Sequence, residues 1–138
     1  MKKYIVIVFL AGFLFTSCTQ NKKPVHVQRF ASITGLKSEK LDYYKMLHAN
    51  AWPAVLKKIK DCNIQNYSIY LKKVQNSYFL FSYFEYVGTD FKADMKKMAD
   101  DTTTQRWWKE TDPCQQPLPE AAAKKQIWTS MEEVFHTN

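Results

Sequence analysis

Residues 64–86 read IQNYSIYLKKVQNSYFLFSYFEY, and this stretch decides the fold. From Ile64 to Leu71, the side chains Tyr67, Ile69 and Leu71 alternate with Ser68 and Tyr70, the period-two pattern of a strand whose faces meet different surroundings. From Ser77 to Tyr86, Phe79, Phe81 and Tyr83 alternate with Tyr78, Leu80 and Phe84, and aromatic residues suit a pleated surface. A polar connection around Lys73–Asn76 separates the two segments, so together they predict a β-hairpin.

Working outward, residues 25–33 are rich in β-formers and predict a first strand that Gly35 ends. Ser38 stands at an expected helix N-cap, with Glu39 favourably placed in the first turn. Leu41, Tyr44, His48, Trp52, Val55 and Ile59 follow at spacings of three and four, which lines them along one helix face. Pro53 disfavours helical geometry at Trp52, so a bend is expected at residues 49–53, with Asn50 capping a restarted helix. Phe91 to Met98 predicts a second helix with Phe91, Met95 and Met98 inward. Residues 101–125, rich in threonine and then proline, read as a long irregular loop, and Ile127 to Phe135 as a closing strand. The order β-α-β-β-α-β is the ferredoxin-like arrangement, an α+β domain with one antiparallel sheet and its helices on one face.

The start of the chain does not belong to that domain. Met1-Lys2-Lys3 is a short positive segment, Tyr4 to Phe15 is almost wholly apolar, and Phe15-Thr16-Ser17-Cys18 follows. These are the three parts of a secretory signal, over residues 1–17, and the apolar run is too short for a spanning helix of roughly 20 residues. Cys18 after small residues resembles the lipobox of bacterial lipoproteins, with Phe15 where Leu is more usual. The expectation is an exported, periplasmic or membrane-anchored lipoprotein lipidated at Cys18, with residues 18–24 as tether and 25–138 as the folded domain.

The formal net charge of +7 includes Lys2 and Lys3, and the remaining lysines are scattered among acids. Nucleic-acid binding would need a concentrated basic stripe, so it is not expected. Apart from Cys18, the cysteines are Cys62 and Cys114. An exported compartment permits a disulfide between them, but sequence does not place their Cα atoms within bonding range. No cysteine or histidine cluster has zinc spacing, so no metal site is expected. Aromatic residues make up 15% of the chain, more than one helix-covered sheet face accounts for. The uncovered face calls for a second subunit, a ligand, or both.

Three places could carry chemistry. His48 lies four residues after Tyr44, so both rings share a helix face and can converge on a ligand, or His48 can be a packed core residue. The indoles of Trp107 and Trp108 suit stacking on the C–H face of a sugar; equally, one could plug the core and the other seal an interface. Tyr67, at the start of its strand, can reach over the sheet toward the helix bend. Glu132 and Glu133 in the tail fall on opposite faces of the expected last strand. His26 and His136 are assigned no role.

Taken in order, Tyr44-x-x-x-His48, Trp52-Pro53, Asn66-Tyr67-Ser68-Ile69-Tyr70-Leu71, Gln105-Arg106-Trp107-Trp108 and Glu132-Glu133-Val134-Phe135 resemble the L-rhamnose mutarotase family over roughly residues 25–136. The resemblance implies a dimeric ferredoxin-like fold without metal or organic cofactor, acting on a free monosaccharide, a 6-deoxyhexose such as L-rhamnose. It carries the catalytic acid onto His48 and sugar contacts onto Tyr44, Tyr67, Trp107 and Trp108. Two features depart from the pattern: the export signal, since better-known members are cytoplasmic, and the proline-rich segment from Asp112 to Glu120. A non-catalytic sugar-binding or interaction module of the same fold is the alternative. The feature that separates the two is whether Tyr44, His48, Tyr67 and a tryptophan meet at one cavity.

Overall fold

A computed structural model of the chain describes residues 26–137. The expected signal segment, Cys18 and the tether lie outside the described residues. The hairpin is present as β2 (Ile64–Val74) and β3 (Ser77–Tyr86), joined through Gln75 and Asn76. Gln75 has a φ of 52°, the left-handed conformation a tight reversal demands. Strand β1 (Gln28–Leu36) pairs antiparallel with the other edge of β3, so β3 is central. Two short strands, β4 (Gln115–Gln116) and β5 (Thr129–Met131), share the outer edge of β1, and every pairing is antiparallel.

Gly35 does not end β1, contrary to expectation. The strand runs through it, and a Cβ there would lie 2.6 Å from the carbonyl oxygen of Gln116. Glycine is what lets β4 close on β1.

The helices are α1 (Leu41–Ala49), α2 (Pro53–Asp61), α3 (Phe91–Ala99), α4 (Thr102–Thr111) and α5 (Pro119–Ala123). Ser38 is not an N-cap; Lys37 precedes a 3-10 turn, Ser38–Lys40, with no side-chain cap. The expected bend is real but built differently. Trp52, in extended geometry, is the N-cap of α2, and Pro53 takes the first helical position, where a missing N–H costs nothing. Asn50 instead closes α1, its side chain donating to the Met46 carbonyl at 2.9 Å.

Residues 101–125 are not an irregular loop. Asp101 caps α4, its carboxylate accepting from the Thr104 amide at 2.8 Å and the Thr104 hydroxyl at 3.0 Å. Thr104, Trp107 and Thr111 are buried at helical spacing, so a packed face overrides the weak helix propensity of three successive threonines. The closing strand is shorter than expected. Pairing ends at Met131, and Glu132 to Phe135, the two glutamates included, continue without strand pairing.

Register shows which sheet face the helices cover. Leu36 pairs with Tyr78, Thr34 with Leu80 and Phe30 with Phe84, so even-numbered side chains of β1 and β3 share a face. Leu36 and Leu80 pack there with Tyr44 of α1 and with Cys114, while Phe84 packs with Ile64, Cys62 and Met98. A third cluster, Leu47, Val55 and Trp107, joins α1, α2 and α4. Leu80 is 1% exposed, and truncating such a residue to alanine costs about 2–5 kcal/mol. Cys62 and Cys114 are free thiols in separate clusters, so they do not pair; Cys114 Sγ donates to the Glu110 carbonyl. Tyr86, fully buried, donates to Asp94 at 2.8 Å and accepts from the Asp90 amide at 3.0 Å, tying the end of β3 to the start of α3.

Candidate active site

Between α1, α2 and the β2 half of the sheet lies a cavity of about 960 Å³. That is near the upper end of ligand pockets, roughly 300–1,000 Å³. Its floor is Ile69, Leu71 and Leu80; Val55 and Ile59 of α2 form an apolar wall. Lys45, Lys60, Asn63 and Asn66 bring polar groups to it. Sequence alone assigned none of the four a role in the site, because lysines and asparagines ordinarily face solvent; Asn66 appeared only as part of the Asn66–Leu71 motif.

Tyr44, His48, Tyr67 and Trp107 all line this cavity. The i, i+4 spacing on α1 brings Tyr44 and His48 together, their ring centroids 4.2 Å apart and the rings tilted by 31°. Trp107 arrives from α4 and meets His48 edge-on at 5.3 Å and Trp52 at 5.4 Å. The Arg106 guanidinium lies 5.5 Å from the Trp52 ring centre, a cation–π contact that backs the indole from outside. Tyr67 comes from β2 and rests edge-on against Phe84 at 5.7 Å. Trp108 does not line the cavity. Adjacent residues on a helix point about 100° apart, so Trp107 is 7% exposed inside and Trp108 37% exposed outside.

His48 Nδ1 lies 3.0 Å from the Tyr44 carbonyl oxygen. A carbonyl only accepts, so Nδ1 carries the hydrogen and the neutral ring presents the Nε2 lone pair. Burial lowers the imidazole pKa below its ordinary 6.5, partly opposed by that backbone hydrogen bond. Tyr44 is 4% exposed, and burial raises its phenol pKa far above 10. Burial raises that of Tyr67 too, although 44% of the residue's surface remains open. Both phenols are therefore neutral donors at physiological pH. Among the described residues, no three His, Cys, Asp or Glu side chains gather closely enough to hold a metal ion. The site thus offers one titratable imidazole, two neutral hydroxyls and an indole wall in a mostly apolar hollow.

Residues 29–137 match the family model for L-rhamnose mutarotase. An L-rhamnose mutarotase of Oceanobacillus iheyensis is 30% identical over 110 residues, 80% of this chain and 98% of the relative. That of Bacillus subtilis is 33% identical over 87 residues, 63% of this chain and 79% of the relative. The crystal structure of an L-rhamnose mutarotase from Formosa agariphila superposes with a TM-score of 0.59 at 23% identity, covering 80% of this chain and 99% of that one, and so shares the fold. A match over nearly all of the described domain leaves one assignment: the chain belongs to the L-rhamnose mutarotase family.

Proposed function

We infer that this chain is a sugar mutarotase, interconverting the α and β anomers of L-rhamnose or a close 6-deoxyhexose. The observation that carries the reading is the meeting of Tyr44, His48, Tyr67 and Trp107 at one apolar cavity in a chain of this family. Mutarotation needs a proton delivered to the ring oxygen and another removed from the anomeric hydroxyl. The C1–O5 bond then breaks, C1 rotates about C1–C2, and the ring closes on the other face by the reverse transfers. His48 is the proton carrier: its Nε2 lone pair takes the proton of the anomeric hydroxyl and passes it to the ring oxygen as the C1–O5 bond breaks, while Nδ1 stays tied to the Tyr44 carbonyl. An imidazole with lowered pKa gives up a proton readily, as protonation of a weakly basic ring oxygen requires. The Tyr44 and Tyr67 hydroxyls hold the sugar as neutral donors, and Trp107 supplies a flat wall for its C–H face. A pocket with apolar floor and wall favours a methyl over a hydroxymethyl group, a preference of about 1–3 kcal/mol.

Saturation-transfer NMR on L-rhamnose, L-fucose and D-glucose tests this reading. Anomer exchange should rise in proportion to enzyme, most for L-rhamnose. Sugar binding without faster exchange would instead support a non-catalytic module.

Two further proposals concern the whole molecule. The sheet face away from the helices carries Ile33, Phe79, Phe81, Tyr83 and Met131, which supports a homodimer that covers it. The basic, apolar and Cys18-containing segments at the N-terminus support export and lipid anchoring, which labelling with a fatty-acid analogue in wild type and Cys18→Ala tests.

A further inference from the structure

β2 is out of step with β3 immediately before Tyr67. Gln65 pairs with Glu85 and Ser68 with Tyr83, so Asn66 and Tyr67 together stand opposite Phe84. In a regular strand Ile64 and Tyr67 would fall on opposite faces. The inserted residue resets the alternation, so that Ile64 before it and Tyr67, Ile69 and Leu71 after it all line the cavity, with Tyr67 against Phe84. Asn66 takes the strain of the insertion, with a φ of 50° in the left-handed region that asparagine tolerates better than most residues.

Something must hold this irregularity in place, and on the opposite face one carboxylate touches it twice. Glu85 Oε2 accepts from Gln65 Nε2 at 2.9 Å and from Asn66 Nδ2 at 2.7 Å. Its other oxygen accepts from the Tyr83 hydroxyl at 3.0 Å, which fixes the carboxylate's own orientation. The hydrogen bonds from Gln65 and Asn66, helped by Tyr83 and by the charge of Arg29 across the β1–β3 ladder, hold the carboxyl below its ordinary pKa. Glu85 does not line the cavity.

We propose that Glu85 is a positioning residue: by clamping Gln65 and Asn66 it fixes the bulge from which Tyr67 enters the cavity, and so the place of the Tyr67 hydroxyl against the sugar. The inference rests on the reading of Tyr67 as a sugar contact.

The test measures anomer exchange against L-rhamnose concentration for Glu85→Ala, Glu85→Gln, Tyr67→Ala and the Glu85→Ala/Tyr67→Ala pair. Melting temperature and mass are recorded on the same samples, since Glu85 lies on the face assigned to a second copy. Glu85→Ala should raise KM about tenfold, the loss of roughly one good hydrogen bond to the sugar, with a smaller change in kcat. Glu85→Gln should stay near wild type, because its amide oxygen can still accept from both partners. In the Tyr67→Ala background, Glu85→Ala should add nothing to KM. If Glu85→Ala does not fold, Asn66→Gly keeps the left-handed backbone, removes the Asn66 half of the clamp, and should raise KM in the same direction by a smaller factor. A wild-type KM in folded Glu85→Ala, or effects that multiply in the double variant, would overturn the clamp while the Tyr67 contact stands. A wild-type KM in Tyr67→Ala would overturn the sugar contact and the clamp's role with it. Failure of both Glu85→Ala and Asn66→Gly to fold would make the role purely structural and end the proposal.

Discussion

The two faces of the sheet are built from the same strands and do different things. Toward the helices, Leu36, Leu80 and Ile64 are nearly sealed, and beside them Tyr44, His48, Tyr67 and Trp107 surround an apolar hollow. On the other face, Phe79, Phe81 and Tyr83 stand in a row, partly buried and outside the clusters that the helices build with the sheet. Alternation along each strand assigns neighbouring residues to the two environments. One face therefore concentrates proton chemistry where water is scarce, and the other offers broad contact area for a partner. The bulge at Asn66 and Tyr67 interrupts that alternation, so that Ile64 and Tyr67 both face the cavity.

The contrast is sharpest in the adjacent tryptophans. Trp107→Ala removes a buried indole from the cluster joining α1, α2 and α4, and should cost about 3–5 kcal/mol of stability as well as sugar affinity. Trp108→Ala, on the exposed side, should cost less than about 1 kcal/mol. Chemical denaturation of both variants checks this, and equal losses would break the distinction between inside and outside.

A charge in the uncovered face comes next. Phe81→Lys should weaken self-association by about tenfold or more, seen by light scattering, while exchange per folded protomer stays within a few-fold. If the mass is unchanged, that face is not the interface.

The smallest effect is a pH dependence. The pKa of His48 is lowered in the folded chain, chiefly by burial, so below 6.5 the unfolded chain binds the proton first. The stability tied to neutral His48 is whole above pH 6.5 and is lost as pH falls through the folded-state value. Melting temperature should drop over that range more steeply in wild type than in His48→Asn, and parallel curves would mean the histidine is not desolvated.

Much of this was readable in the chain. The hairpin from Ile64 to Tyr86 follows from strict alternation, and the Tyr44–His48 pair from helical spacing before Pro53. What was hidden depended on packing or on exceptions to a pattern. Thr102-Thr103-Thr104 looks like loop, although Asp101 as cap and the Thr104, Trp107, Thr111 spacing were signals of α4. Missing that helix left Trp107 and Trp108 side by side in a loop, free to stack on one sugar; a helix forces them apart. Gly35 reads as a break until β4 is known to cross it. The bulge leaves only a faint trace, an asparagine beside a tyrosine. Glu85, two strand positions beyond Tyr83, carries no motif at all.

The central claim is that His48 moves the proton that opens the sugar ring. The most direct measurement is saturation-transfer exchange between L-rhamnose anomers, in wild type and His48→Ala at matched folded concentration, with melting temperatures from the same samples. The account predicts a loss of about 10²–10⁴ in exchange with the fold retained and the sugar still bound. A folded His48→Ala protein that exchanges anomers at the wild-type rate would contradict it.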